Sequence, residues 1–333
     1  MDLDAFVAAH RHEWARLEAL VSGRGRKLSG AEGDELLELY QRTATHLSEV
    51  RSTTPEPTIV AHLSSLLARA RSKAVGTRTL TWADVVRFFV ETFPAALYAA
   101  RRWWLATMAA NILVAFAVGW WFYANPQLES SLASPAEIQR LVTHDFESYY
   151  SEYAAGSFAV KIWTNNAWVS ALCIAFGVFG VPVIWLLWNN IANAAVIGAL
   201  MWRYDRAWLF FGLILPHGLL ELTAVFVAGG VGLRIFWGWV DPGPRTRLTA
   251  VAQEGRAAMS VALGLVVVLF VTGVIEAFVT PSPLPTWARI GIGCLAEAAF
   301  FVYVFTLGRY AARRGRTGDL AAADRGDAAP MLG

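Results

Sequence analysis

The chain has 333 residues, 56% of them hydrophobic, with 15 tryptophans and a formal net charge of only +2 at neutral pH. This is more apolar than a soluble domain with one core, so the chain reads as an integral membrane protein. So mild a charge, with no basic stripe interleaved with aromatics, excludes nucleic-acid recognition.

Residues 1–102 read as a cytoplasmic bundle of amphipathic helices. Phe6, Trp14, Leu17 and Val21 recur at helical spacing, as do Leu36, Tyr40, Thr43, Leu47 and Val50. Ser29 with Glu32 forms a capping box for the second helix. A third helix carrying Ile59, Leu63, Leu66, Leu67 and Ala70 begins after the Pro55-Glu56-Pro57 breaker, and Thr81 with Asp84 opens a fourth. His10, His12, His46 and His62 are scattered, without cysteines or carboxylates at ligand spacing, so no metal site is expected. No short apolar run resembling a cleaved signal precedes Trp103, and the first long one should stay in the membrane.

A transmembrane domain is expected over 103–310, with apolar segments at 103–124, 166–188, 190–203, 207–236, 257–280 and 286–309. Most reach the roughly twenty residues that a crossing needs. The segment 190–203 is short and reads either as a crossing or as part of a re-entrant pair, so the fold class is an all-α polytopic membrane protein of about six spans. Arg101 and Arg102 hold the N-terminus inside. The loop 125–163 carries Glu129, Glu137, Asp145, Glu147 and Glu152 against Arg140 and Lys161, and belongs outside. Arg245, Arg247 and Arg256 at 237–257, and Arg309, Arg313, Arg314 and Arg316 in the tail, belong inside. Both termini are then cytoplasmic, with 311–333 a disordered tail. Phe146, Tyr149, Tyr150, Tyr153 and Phe158 in the outer loop suit the membrane interface or a docking partner.

The polar residues inside the apolar segments are the candidate site. Pro216, His217, Gly218 and Glu221 lie within 207–236. His217 and Glu221 are four apart and share a helix face, while Pro216 lacks an N–H and should break or restart the span. Ionisable groups at that depth must face protein or water. At 1.5 Å per residue, His217 and Glu297 both lie about 15 Å below the outer ends of their spans and could meet. Two readings stay open for the His217, Glu221 and Glu297 cluster: interhelical hydrogen bonding, or the lining of a proton, ion or solute path. Asn165, Asn166, Asn189 and Asn190 bracket the second span and read as helix-end amides. Gly229 and Gly230, like Ala194, Gly198 and Ala199, permit close helix approach within the chain or at a homo-oligomer seam. Glu276 and Arg289 flank the turn at 280–285 and should pair to close a hairpin. The span holds one histidine where a zinc peptidase needs two, and no nucleophile–base set or phosphate loop is present. The chain therefore reads as no enzyme and as needing no cofactor.

The order of several short motifs resembles the stage II sporulation protein M family. They are Trp14-Ala15-Arg16-Leu17-Glu18, Glu35-Leu36-Leu37-Glu38-Leu39-Tyr40, Phe93-Pro94 before Arg101-Arg102, Asn165-Asn166, Phe176-Gly177 with Gly180, Asn189-Asn190, and Pro216-His217-Gly218 with Glu221 and Gly229-Gly230. The likeness runs from about residue 5 to 310, departing at His46, where the family pattern has an acid. The resemblance implies a bacterial inner-membrane scaffold without catalysis, which recruits membrane or cell-wall-associated proteins such as peptidoglycan-cleaving enzymes. The alternative is a transporter or channel component.

Overall fold

The computed structural model describes residues 3–22, 28–53, 55–75, 81–146, 148 and 155–319. Among them the regular structure is helical throughout, with no strand. The chain divides into two compact units, residues 1–81 and 82–333.

The first unit is built from α1 (Leu3–Ser22), α2 (Gly30–Thr53) and α3 (Pro57–Val75). Each contributes one apolar stripe to a shared core: Trp14, Leu17 and Leu20 from α1, Leu36, Leu39 and Leu47 from α2, Leu63, Leu66 and Ala70 from α3. Side chains repeating every three to four residues fall on one helix face, and burying that face holds the helices together. The Ser29–Glu32 capping box forms: Ser29 N–H donates to Glu32 Oε2 at 2.9 Å and Glu32 N–H to Ser29 Oγ at 3.3 Å. Ion pairs lie outside the core, Arg16 with Glu35 at 2.7 Å and Arg69 with Glu18 at 2.8 Å, and each arginine holds its partner's carboxyl below the usual carboxylate range.

The second unit begins at Trp82. Residues 82–99, which sequence reasoning grouped with the bundle, pack here instead. α4 (Trp82–Arg87), a π-helical turn at Phe88–Thr92 and α5 (Phe93–Ala99) lead into α6 (Arg101–Ala124). Phe93 and Leu97 are buried in this unit's core, and Tyr303 Oη donates to the Phe89 carbonyl at 2.5 Å. After α7 (Glu129–Leu132) and α8 (Pro135–Arg140) come α9 (Ala155–Ala175), α10 (Val181–Arg203), α11 (Ala207–Val240), α12 (Arg247–Phe278), α13 (Thr286–Tyr303) and α14 (Arg309–Arg313). Five helical stretches among the described residues are long and apolar enough to cross a membrane: 101–124, 181–203, 207–240, 247–278 and 286–313. α11 is the hub, packed against α6, α9, α10, α12 and α13. Large apolar side chains point outward instead of inward, among them Phe116 and Trp120 of α6, Trp185 of α10 and Phe270 of α12. That is the pattern of a multi-pass protein whose solvent is hydrocarbon.

Four expectations change. The helix break falls at Gly177–Gly180, not near Asn189, so residues 190–203 are the second half of a continuous 23-residue helix and not a short separate segment. Gly180 turns the chain at φ +68°, and a Cβ there would strike the Phe236 ring. Apolar residues flank the break on both sides, so hydropathy alone does not reveal it. Secondly, Pro216 neither ends nor restarts its span, because α11 continues through it. Packed neighbours in a bilayer tolerate an interior proline that an exposed helix would not. Thirdly, the first part of the expected tail packs on the membrane unit: Arg256 grips Asp319 through Nε at 2.6 Å and Nη2 at 3.2 Å, and Ser260 Oγ donates to the Gly318 carbonyl, while residues 320–333 lie outside the described residues. Finally, part of the outer loop is anchored by Phe146, which stacks on Phe210 at 5.6 Å, whereas Tyr149, Tyr150 and Tyr153 lie outside the described residues.

Candidate functional site

The polar residues of the second unit converge where α9, α11 and α12 pack. His217 and Glu221 stand one turn apart on α11, 3% and 8% exposed, which is the shared face that their i, i+4 spacing requires. His217 Nε2 lies 3.6 Å from Glu276 Oε1 of α12, and its Nδ1 lies 3.2 Å from the hydroxyl of Thr280, just past that helix. The hydroxyl can give or accept a proton, so it serves either ring tautomer. From α9, the Asn166 amide donates to Glu221 Oε1. Glu276 is 2% exposed, and its Oε1 is buried with no hydrogen-bond partner among the described residues.

Two expected contacts are corrected by this arrangement. Glu276 does not pair with Arg289; Arg289 donates to the Thr280 carbonyl at 2.5 Å and to Thr286 Oγ1 at 3.2 Å, which leaves Glu276 to face His217. A guanidinium near a turn finds backbone carbonyls closer than a carboxylate on the preceding helix. Nor does Glu297 meet His217. It accepts from Thr223 Oγ1 at 2.7 Å, six residues further along α11, and its other oxygen is buried without a hydrogen-bond partner among the described residues. Equal depth in two helices fixes height but not rotation about each axis, so similar distances from the outer ends did not suffice.

The amides are not at span ends. Asn165 and Asn166 lie mid-way along α9, and Asn189 and Asn190 mid-way along α10. Asn166 turns inward to Glu221, whereas Asn189 bonds back to the Trp185 carbonyl on its own helix at 2.8 Å. The small residues are where helices approach. A Cβ at Gly230 would enter the Trp104 backbone of α6, one at Gly229 would meet Leu187 of α10 at 2.8 Å, and one at Gly218 would meet Ile214 on the same helix at 2.9 Å. Pro216 is itself a contact point, since a Cβ at Gly293 of α13 would fall 2.6 Å from the Leu215 and Pro216 carbonyl oxygens.

Glu276, Thr280 and Thr223 were missed as members of the site. Glu276 and Thr280 are spaced i, i+4, the pattern shown by His217 and Glu221, and that repetition was the available signal. A second missed group lies in the first unit. His10, Glu13 and His46 each bring a ligand-type atom to within 4.8 Å of the others, so these histidines are not scattered as the sequence suggested. Burial and the neighbouring His10 hold the His46 imidazole below its usual range.

What this fold and site can do chemically is hydrogen-bond helices to one another or accept and release protons within a low-dielectric layer. Comparison with known proteins gives two matches of different extent. A family model described as Stage II sporulation protein M matches residues 108–281. A model described as a domain of unknown function (DUF8413) matches residues 4–76. The first covers His217, Glu221 and Glu276 and the second covers the bundle, so of the likeness read over residues 5–310 the family model bears out residues 108–281, and a different model covers the bundle. No curated protein and no solved structure matches the chain.

Proposed function

The chain belongs to the stage II sporulation protein M family, and from that premise we propose that it is a non-catalytic scaffold of the bacterial inner membrane. In this reading both termini are cytoplasmic, and the N-terminal bundle gathers partner proteins, cell-wall remodelling enzymes among them. The observation that carries the reading is the bundle itself. Residues 1–81 have their own apolar core and a surface of ion pairs, and so form a unit of their own, distinct from the membrane unit, which buries its own polar groups.

Deletion of residues 1–81 tests it. The shortened protein should still insert, because the apolar helices all lie beyond that boundary, yet it should fail to complement a deletion strain and should lose the proteins that crosslink to the full chain in cells. Full complementation by the shortened protein would overturn the scaffold reading. Orientation is read separately with single cysteines at Ser131 and Thr317 in a chain lacking Cys173 and Cys294. An impermeant thiol reagent applied to intact cells should label the first position and not the second.

A second reading, a transporter or channel component, is favoured by one specific observation. Two carboxylates and an imidazole from α11 and α12 are buried together, with one carboxylate oxygen lacking a hydrogen-bond partner among the described residues. Groups of that kind inside a bilayer accompany proton and ion pathways. The path would then run through His217, Glu221 and Glu276, without Glu297.

A further inference from the structure

We propose that His10, Glu13 and His46 of the N-terminal bundle form a binding site for a divalent transition-metal ion of the imidazole-preferring kind, such as zinc. His10 and Glu13 are three apart and share the α1 face turned toward α2, which supplies His46. Glu13 Oε2 lies 3.9 Å from His10 Nδ1 and 3.9 Å from His46 Nε2. An ion with bonds of ~2.0–2.2 Å in tetrahedral array holds its ligand atoms about 3.4 Å apart. All three ligand atoms lie within 4.8 Å of one another, so movement of side chains by about an ångström brings them to that spacing. Three protein ligands leave a fourth position for water, as in open zinc sites.

The state of Glu13 gives the cluster its direction. Oε1 accepts from Arg42 Nη1 at 3.1 Å, which fixes the carboxylate, while Oε2 is buried with no hydrogen-bond partner among the described residues and is turned between the two imidazoles. A buried carboxylate oxygen left unmatched is costly, and a cation held between it and two ring nitrogens removes that cost. Arg42 then acts as the outer partner that orients a ligating carboxylate. The two imidazoles are already in contact, centroids 3.9 Å apart and ring planes tilted by 35°, and Phe6 walls the group with its ring 4.5 Å from His10 and 5.6 Å from His46. His12 and His62 are exposed and not in the group.

The neighbouring Trp14 sets one condition on binding. Its indole Nε1 donates to His46 Nδ1 at 3.2 Å, so in the neutral ring the proton sits on Nε2. A metal bond to Nε2 replaces that N–H, and the proton passes through solvent to Nδ1. The Trp14 hydrogen bond breaks as it arrives, and His46 releases no net proton. Coordination of the ion by three side chains outweighs the loss of one such bond.

The test is zinc binding by the full-length protein, purified in detergent after chelation, measured by equilibrium dialysis with metal analysis. One zinc per chain is expected. His10→Gln should lower affinity by at least about tenfold, the loss that removal even of an outer-shell partner produces, and His46→Gln should do the same, while His12→Gln and His62→Gln leave it unchanged. His10 is 30% exposed, so its substitution leaves the bundle core intact, and hydrogen exchange over α1 and α2 checks this. X-ray absorption of the zinc-loaded chain should show two imidazole ligands. Absence of stoichiometric binding, or binding that His10→Gln does not weaken, overturns the proposal.

Discussion

The two units treat polar and apolar residues in opposite ways. In residues 1–81, Leu17, Leu36, Leu63 and Leu66 are fully inside, and the pairs Arg16–Glu35 and Arg69–Glu18 stand in solvent. In the unit from Trp82 onward, Leu113, Phe116, Trp120, Trp185 and Phe270 point outward, while His217, Glu221, Thr223, Thr272 and Glu276 are buried. Burial of apolar surface drives the first arrangement. In the second, hydrocarbon on the outside removes that drive, so cohesion rests on close backbone approach and interhelical polar contacts. Core substitutions should therefore act through cavities in the bundle and through clashes or lost hydrogen bonds in the membrane unit.

The largest expected effect is Leu66→Ala. This side chain is 0% exposed at the meeting of three helices, and its truncation should cost about 2–5 kcal/mol. Hydrogen exchange over residues 57–75 should accelerate while exchange over α11 stays unchanged. Coupled loss of protection in both regions would show that the units do not hold their stability separately.

Next is Gly230→Val, whose added atoms run into the backbone of Trp104; the overpacking should cost about 1–3 kcal/mol and lower the melting temperature in detergent. Gly255→Ala in α12 sharpens the contrast. A Cβ there meets nothing within 4 Å, so the change should be neutral or stabilise by about 0.5–1 kcal/mol. If the two variants melted alike, close helix approach at Gly230 would not be what holds α6 against α11.

The same contrast explains what the sequence made legible. Apolar stripes such as those through Leu47 and Leu66 mark faces directly, because in water the buried face and the apolar face coincide. In the membrane unit long apolar runs revealed helices, but not which side faces protein. The partner of His217 therefore stayed hidden: Glu276 is reached only once the rotation and stagger of α11 against α12 are known. The break at Gly180 was invisible for a related reason, since it interrupts a backbone without interrupting hydropathy. His10 and Glu13 stand one helical turn apart in the sequence, but His46 joins them only through the register of α1 on α2. Close packing at Gly229 and Gly230 was easier to read, because small residues in an apolar run have few other uses.

A change of stability smaller than that of Gly230→Val separates the two functional readings. Glu221 accepts a hydrogen bond from Asn166 and shares its helix face with His217. If that group only ties α9 to α11, Glu221→Gln keeps a carbonyl oxygen of the same size to accept the Asn166 proton and should cost about 1 kcal/mol. Insertion, accumulation and complementation should then stay close to those of the unchanged protein, which is the outcome expected of a scaffold. If the same carboxyl exchanges protons or holds a cation during function, the amide cannot replace it, because it neither titrates nor carries charge. A Glu221→Gln chain that inserts, accumulates and melts normally yet fails to complement would break the scaffold reading. Measurement of proton flux in proteoliposomes, with the His217→Gln and Glu276→Gln chains beside it, would then decide whether the buried pair on α11 and α12 carries the charge.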